Sequence, residues 1–333
     1  MSRFFTIIFI FLPVAQVLCQ YIPNSGQAFQ FATAYNAAFA GVDEFTDIRL
    51  GYRYQMAGYG TNAPKFINVV ANVRLKQPAD VVTNSLRPSK GKGLLSTVPA
   101  GKRIIHGLGI NVFNEKVGLI ERLGGGVSYA FHYPISKTFR LSAGVTAFLE
   151  NTSLDVNGIY LGENPDQDPF YDHLMQGSSK HSEFSIRGGM LLYSKNFYLG
   201  LSYFPIYTKV VTNSDVDFSD PFYQGAIQTG FILPLNSDLT LKPSVLAIVQ
   251  TDHRVLLDYS IKGYLKNKVW FGLTYRDIKA AVVLAGFDFT KTLTVGYSYE
   301  MAMGGFSKFN DGSHDLVLSL RLNNFKGQRS YTW

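Results

Sequence analysis

The sequence predicts an all-β fold: a transmembrane antiparallel β-barrel of about 14 strands behind an N-terminal signal peptide. Three observations predict it. Stretches of roughly ten residues alternate apolar with small or polar side chains, the period-two pattern of strands with one apolar and one polar face. Five connections between them are short and mostly basic, at 133–141, 193–199, 233–241, 264–271 and 287–295. Alternate connections are usually longer, irregular and richer in Asp, Asn and Gly. Short turns at one end and long loops at the other describe an outer-membrane barrel.

The elements follow in order. Arg3, the apolar stretch Phe4 to Leu18 and the small residues Val17 and Cys19 read as a signal peptide over 1–19, leaving Gln20 first in the mature chain. Lipidation of Cys19 is the rival, but Leu18 is bulky where lipoprotein signals carry Gly, Ala or Ser. Residues 20–45 read as a periplasmic lead-in segment, with room for part of it to tuck into the lumen. The barrel spans 46–322. In its first strand, 46–57, Ile48, Leu50, Tyr52, Tyr54 and Met56 face one way and Arg49, Gly51, Arg53 and Gln55 the other. In the second, 64–76, Ile67, Val69, Ala71, Val73 and Leu75 face lipid, with Asn68, Asn72 and Arg74 inward. Residues 77–105 break the rhythm with Pro78, Pro88, Pro99 and the run Ser89-Lys-Gly-Lys-Gly93.

Twelve further strands are predicted at 106–113, 121–133, 137–150, 182–193, 195–208, 223–234, 238–250, 254–264, 268–276, 278–289, 291–302 and 313–322. An even total keeps both chain ends periplasmic. The five tight turns then fall on the periplasmic side, and the long connections 151–181, 209–222 and 303–312 outside. Residues 323–333 form a periplasmic C-terminal tail.

Composition agrees. Among 333 residues, 20 Tyr and 26 Phe are many for a soluble domain but suit aromatic girdles at two membrane interfaces. A soluble β-sandwich also alternates; signal peptide, strand length and loop asymmetry favour the barrel. No stretch beyond the signal reaches the roughly 20 apolar residues of a membrane-spanning helix. Removing the signal removes the single cysteine, and with it any disulfide, thiol nucleophile or thiolate metal site. It also removes Arg3, taking the net charge from +7 to +6. The basic residues are spread throughout, so no patch argues for nucleic acid.

Alternation turns Arg49, Arg53, Arg74, Arg140, Arg187, Arg276 and Arg321 into the lumen, because a cation facing lipid at mid-depth costs about 2–4 kcal/mol. These can form an anion-selective lining or a docking surface. They can equally fill the barrel as an internal ladder with Glu150, Glu183 or Glu300, the reading we favour. The acidic loops at 155–172 and 213–220 follow no EF-hand spacing and read as solvated tips rather than a calcium site. No cofactor, metal or catalytic residue is predicted. Ser313, His314 and Asp315 sit side by side, but neighbours on a strand point to opposite faces. Gly124-Gly-Gly126 lies inside a strand with no helix after it, so it marks close packing or a bend and not a phosphate loop.

Three stretches carry a family resemblance. Tyr35-Asn-Ala-Ala-Phe-Ala-Gly41 resembles the Asn-Pro-Ala-Tyr-Ala-Gly element of PorP/SprF-type proteins. Tyr52-Arg-Tyr-Gln-Met-Ala-Gly58 with Ala63-Pro-Lys65 is similar to the family's Tyr-Arg-x-Gln-Trp-x-Gly and Ala-Pro-Lys stretch. Gly286-Phe-Asp-Phe289, Val295-Gly-Tyr-Ser-Tyr299 and Gly312-Ser-His-Asp-Leu316 resemble its close. Met56 replaces the usual Trp and Ala37 the usual Pro, and the tail 323–333 follows where many members stop.

The resemblance implies a non-enzymatic outer-membrane component of the type IX secretion system of Bacteroidota. It further implies support for export or surface anchoring of a large secreted protein, such as a gliding adhesin, through that protein's C-terminal domain. The partners it implies are this cargo, other type IX components and outer-membrane lipid. Lys90 and Lys92 in 77–105, with Lys326 and Arg329 in the tail, are the candidate periplasmic contacts. A passive porin or small-molecule transporter is the alternative.

Overall fold

The computed structural model describes residues 25–75, 104–155, 180–212, 224–250, 254–266, 268–303, 307, 310–324, 327 and 330–331. The signal peptide, most of 77–105 with Lys90 and Lys92, most of the acidic loop 155–172 and all of 213–220, and Lys326 and Arg329 lie outside them.

Alternation sets the pairing, and each strand bonds to the next. The strands are β1 (Thr46–Tyr54), β2 (Lys65–Leu75), β3 (Ile105–Val117), β4 (Ile120–Pro134), β5 (Arg140–Leu154), β6 (Lys180–Tyr193) and β7 (Phe197–Thr212). They continue as β8 (Gln224–Phe231), β9 (Leu233–Pro234), β10 (Leu239–Val249), β11 (Val255–Leu265), β12 (Val269–Arg276), β13 (Ala280–Asp288), β14 (Leu293–Ala302) and β15 (Ser313–Leu322). β8 and β9 are one stave interrupted at Ile232, so the barrel has 14 staves. It closes by antiparallel pairing of β1 with β15, from Thr46 against Leu322 to Tyr54 against His314.

The phase of each strand puts apolar side chains on lipid. Leu50, Tyr52, Ile67, Val69, Leu316, Leu318 and Leu320 are exposed on the outer surface, while Arg49, Arg53, Val317, Ser319 and Arg321 are buried inside. Gly124 and Gly126 face the lumen. A Cβ there would fall 2.5 Å from the Phe113 ring and 2.4 Å from the Phe148 ring, so the glycines make room for that stacked aromatic pair.

The wall is uneven. β3 to β7 run 13, 15, 15, 14 and 16 residues, whereas β12, β13, β14, β15 and β1 run 8, 9, 10, 10 and 9. One side therefore rises about two turns of pleat higher than the other. Two connections at the outer end are tight rather than long, at Gly118 (φ +58°) and around Lys279 (φ +60°), because the pairings continue to the strand tips.

The lead-in takes the lumenal course that its sequence left room for: its described part, 25–45, runs down inside the barrel. Short helical turns at Ala28–Phe31, Ala32–Tyr35 and Ala37–Phe39 bury Phe31, Ala38, Phe39 and Ala40 against the wall. A sequence of small apolar residues with few charges fills a lumen of this width, where an empty polar bore would otherwise hold water. The tail departs from a free periplasmic extension, since Ser330 and Tyr331 turn back into the barrel mouth.

Candidate functional site: a plugged lumen

The plug is fastened from top to bottom. Asn36, the N-cap of the Ala37–Phe39 turn, accepts from Ala38 N through Oδ1 and donates from Nδ2 to Met190 O (3.1 Å) and Leu201 O (3.2 Å). It lies over Gly189, where a Cβ would come within 2.0 Å of Oδ1. One turn on, Ser142 Oγ donates to Ala38 O (2.9 Å), and His132 Nε2 pairs with Ala40 O at 2.8 Å, its other nitrogen 3.0 Å from Tyr193 Oη. At Gly107 the plug backbone touches the strand directly, so that a Cβ would lie 2.0 Å from Ala40 O. Arg74 closes the lower end by donating to Gly41 O (2.9 Å) and to Val42 O.

An ionic network holds the upper end, at the outer tips of the short strands. Asp315 accepts from Arg53 Nη1 (2.8 Å), Ser298 Oγ (3.0 Å), Gly26 N (3.0 Å) and Ser25 Oγ (3.4 Å). Glu300 joins Arg53 (3.1 Å) to Arg276 (2.8 Å), and Arg276 reaches Asp258 (3.4 Å) and Ser25 O (2.7 Å). Such a buried set is held only because each charge has both an opposite charge and hydrogen bonds. The voids left between plug and wall include ones of about 30, 10 and 20 Å3, room for roughly one water each.

The tall wall carries a second cluster at its outer end. Arg122 bridges Glu115 (3.2 Å) and Glu150, and Arg187 lies 3.6 Å from Glu150 and 3.6 Å over the Phe148 ring. Phe66, Phe113 and Phe148 follow one another at centroid spacings of 5.9 and 6.0 Å. Among the described residues, these charges bond to one another rather than to the plug.

The predicted arginines thus divide. Arg53 and Arg276 meet on Glu300. Arg49 bonds Gln30 O, Asp47 and Ser330 Oγ (2.8 Å), and Arg74 holds the plug base. Arg187 belongs to the tall-wall cluster. Arg321 pairs with Asp288 (2.8 Å) near the periplasmic end. Arg140 is half-buried at the periplasmic start of β5, in phase with lumen-facing Ser142. Ser313, His314 and Asp315 diverge as strand geometry requires: Ser313 accepts from Met56 N inside, while His314 pairs with Tyr297 Oη (2.7 Å) outside.

Residue-by-residue reading missed Asp315, Asn36, Asp43, Gly107 and Tyr331. The signal for Asn36 and Asp315 was present, since both stand in the stretches with a family likeness. Those stretches converge: Tyr52–Gly58 supplies Arg53, Val295–Tyr299 supplies Ser298, and Gly312–Leu316 supplies Asp315.

A family model, the type IX secretion system membrane protein PorP/SprF, matches residues 17–320. The chain belongs to the PorP/SprF family. It is an outer-membrane β-barrel of the type IX secretion system, and its family is one of membrane components and not of enzymes. No curated protein matches it. Similar solved structures include the Acinetobacter baumannii outer membrane protein Omp33, at 11% identity over 85% of this chain and 100% of that one (TM-score 0.46). The Pseudomonas putida toluene transporter TodX is similar at 10% identity over 87% and 92% (TM-score 0.47).

Proposed function

We propose that this PorP/SprF barrel supports export and surface anchoring of a large secreted protein, such as a gliding adhesin, by binding its C-terminal domain. The outer loops and the upper lumen face of the tall wall grip the cargo. Residues 77–105, with Lys90 and Lys92, and the tail, with Lys326 and Arg329, meet periplasmic components of the machine. One observation carries this reading over a passive pore. The lumen is filled by the chain's own residues 25–45, fastened to both walls, which suits a holder better than a conduit. No step needs a nucleophile or a cofactor.

The test is affinity purification of the tagged barrel from native outer membranes, with co-purifying proteins identified by mass spectrometry. Recovery of a large secreted protein or of periplasmic type IX components supports the reading. A barrel recovered alone at good yield in mild detergent, and conducting ions in planar bilayers, would replace it with the pore.

A further inference from the structure

The C-terminal tail is bonded more closely than an unstructured extension needs to be. Ser330 is only 3% exposed. Its Oγ donates to Asp43 Oδ2 (2.7 Å) and accepts from Arg49 Nη2 (2.8 Å), and its carbonyl accepts from Lys242 Nζ (3.1 Å). Tyr331 N donates to the other oxygen of Asp43 (2.8 Å). The Tyr331 ring stands between Tyr193 (5.6 Å) and Tyr198 (5.9 Å), and its hydroxyl donates to the β6–β7 turn, at Phe197 O (2.6 Å) and Ser194 O. Asn324 ties the start of the tail to Lys291 O (3.1 Å).

Two residues thus touch the base of the plug, the inner face of β1, the inner face of β10 and a periplasmic turn. Asp43 is the plug side of the joint. Both its oxygens are taken by the tail, and it sits where the plug leaves the lumen to enter β1. The joint lies at the periplasmic mouth, beside the start of β10 and the β6–β7 turn.

We propose that the C-terminal tail is a strap that locks the plug in the lumen, and that withdrawing it from the periplasmic side releases the plug's lower end. This does not rest on the identity of any cargo. The upper end stays fastened by the Asp315 network, so release at the base swings the plug rather than expelling it.

The mature chain lacks native cysteine, which permits a direct test in the full-length barrel. Ser142 is fully buried beneath Ala38, so the S142C thiol reacts with a membrane-impermeant maleimide only when the plug moves. In this background the chain ending at Gly327 and the S330A/Y331A pair are compared with the intact tail, with heat-modifiable gel mobility confirming a folded barrel. Hydrogen bonds to charged groups contribute about a tenfold factor each, so the chain ending at Gly327, which loses both on Asp43, should raise the labelling rate about a hundredfold, and S330A/Y331A, which keeps the backbone N–H of residue 331 on Asp43, should give a smaller rise. Intermittent conductance in planar bilayers should accompany it.

Tyr331→Phe keeps the ring and loses only the hydroxyl bonds, so it folds and should give a rise of about tenfold. Folded variants that label and conduct as the parent does would overturn the strap. So would Tyr331→Phe matching the parent, should the larger changes prevent folding.

Discussion

The short wall of this barrel and its tall wall use the same residue types for different ends. On the short wall, the arginines and carboxylates of β1, β12, β14 and β15 turn inward; Asp315 and Arg276 bond the plug directly at Gly26 and Ser25, and Arg53 and Glu300 tie those two together. On the tall wall, the bonds to the plug come from lower on the lumen face, at Ser142, His132, Met190 and Leu201, with backbone contact at Gly107. Its upper face carries Arg122, Arg187, Glu115 and Glu150, which bond to one another beside a row of Phe rings. Plug fastening and wall bracing are thereby separated around the circumference. A lumen arginine such as Arg276 fastens the plug, whereas Arg122 ties the wall carboxylates Glu115 and Glu150 to each other.

The sharpest way to break that comparison is to remove one charge from the short-wall network. Arg53→Ala leaves Asp315 and Glu300 buried and short of a partner, a change that costs about 3–5 kcal/mol. The urea unfolding midpoint of the barrel in micelles should fall accordingly, and the upper end of the plug should come loose from the wall. Arg122→Ala on the tall wall leaves buried Glu115 without its cation, but Glu150 keeps Arg187, so the cost should be smaller, about 1–3 kcal/mol, with closure intact. Equal losses at the two sites would dissolve the distinction.

Next in size is the backbone contact. A side chain at Gly107 must displace Ala40, so Gly107→Val should cost about 1–3 kcal/mol and open the barrel in bilayer recordings. Gly125→Val, on the lipid face of β4 with its nearest neighbour at 3.6 Å, serves as the control and should change neither property. Phe113→Leu, which keeps most of the apolar volume and loses the ring pair, should then cost roughly 0.5–1.5 kcal/mol in the same unfolding measurement and leave the barrel closed.

The smallest expected effect is a pH dependence at the plug base. Burial pushes the Asp43 carboxyl above its usual 3.8, with Asp47 adding to the rise. The folded barrel therefore binds that proton more readily than the unfolded chain. Its contribution to stability is full below the ordinary carboxylate range and is lost as pH rises through the raised value. Melting curves of Asp43→Asn and the parent should converge at low pH and separate as pH increases through that window.

Period-two alternation is a local property, and the chain carries it openly. From it followed the class, the number of staves, the inward phase of Arg49, Arg53, Arg276 and Arg321, and the divergence of Ser313, His314 and Asp315. Tight turns beside long loops supplied the membrane orientation in the same way. What alternation could not disclose is which inward groups meet. Gly26 and Asp315 bond across 289 residues, and Ser330 and Asp43 across 287, distances over which no periodicity speaks. A low-charge stretch such as 25–45 reads alike whether it hangs in the periplasm or fills a bore. Only closure of β1 on β15 creates a lumen narrow enough to bury it, so the tertiary structure alone decided that the barrel is plugged and its tail tucked in.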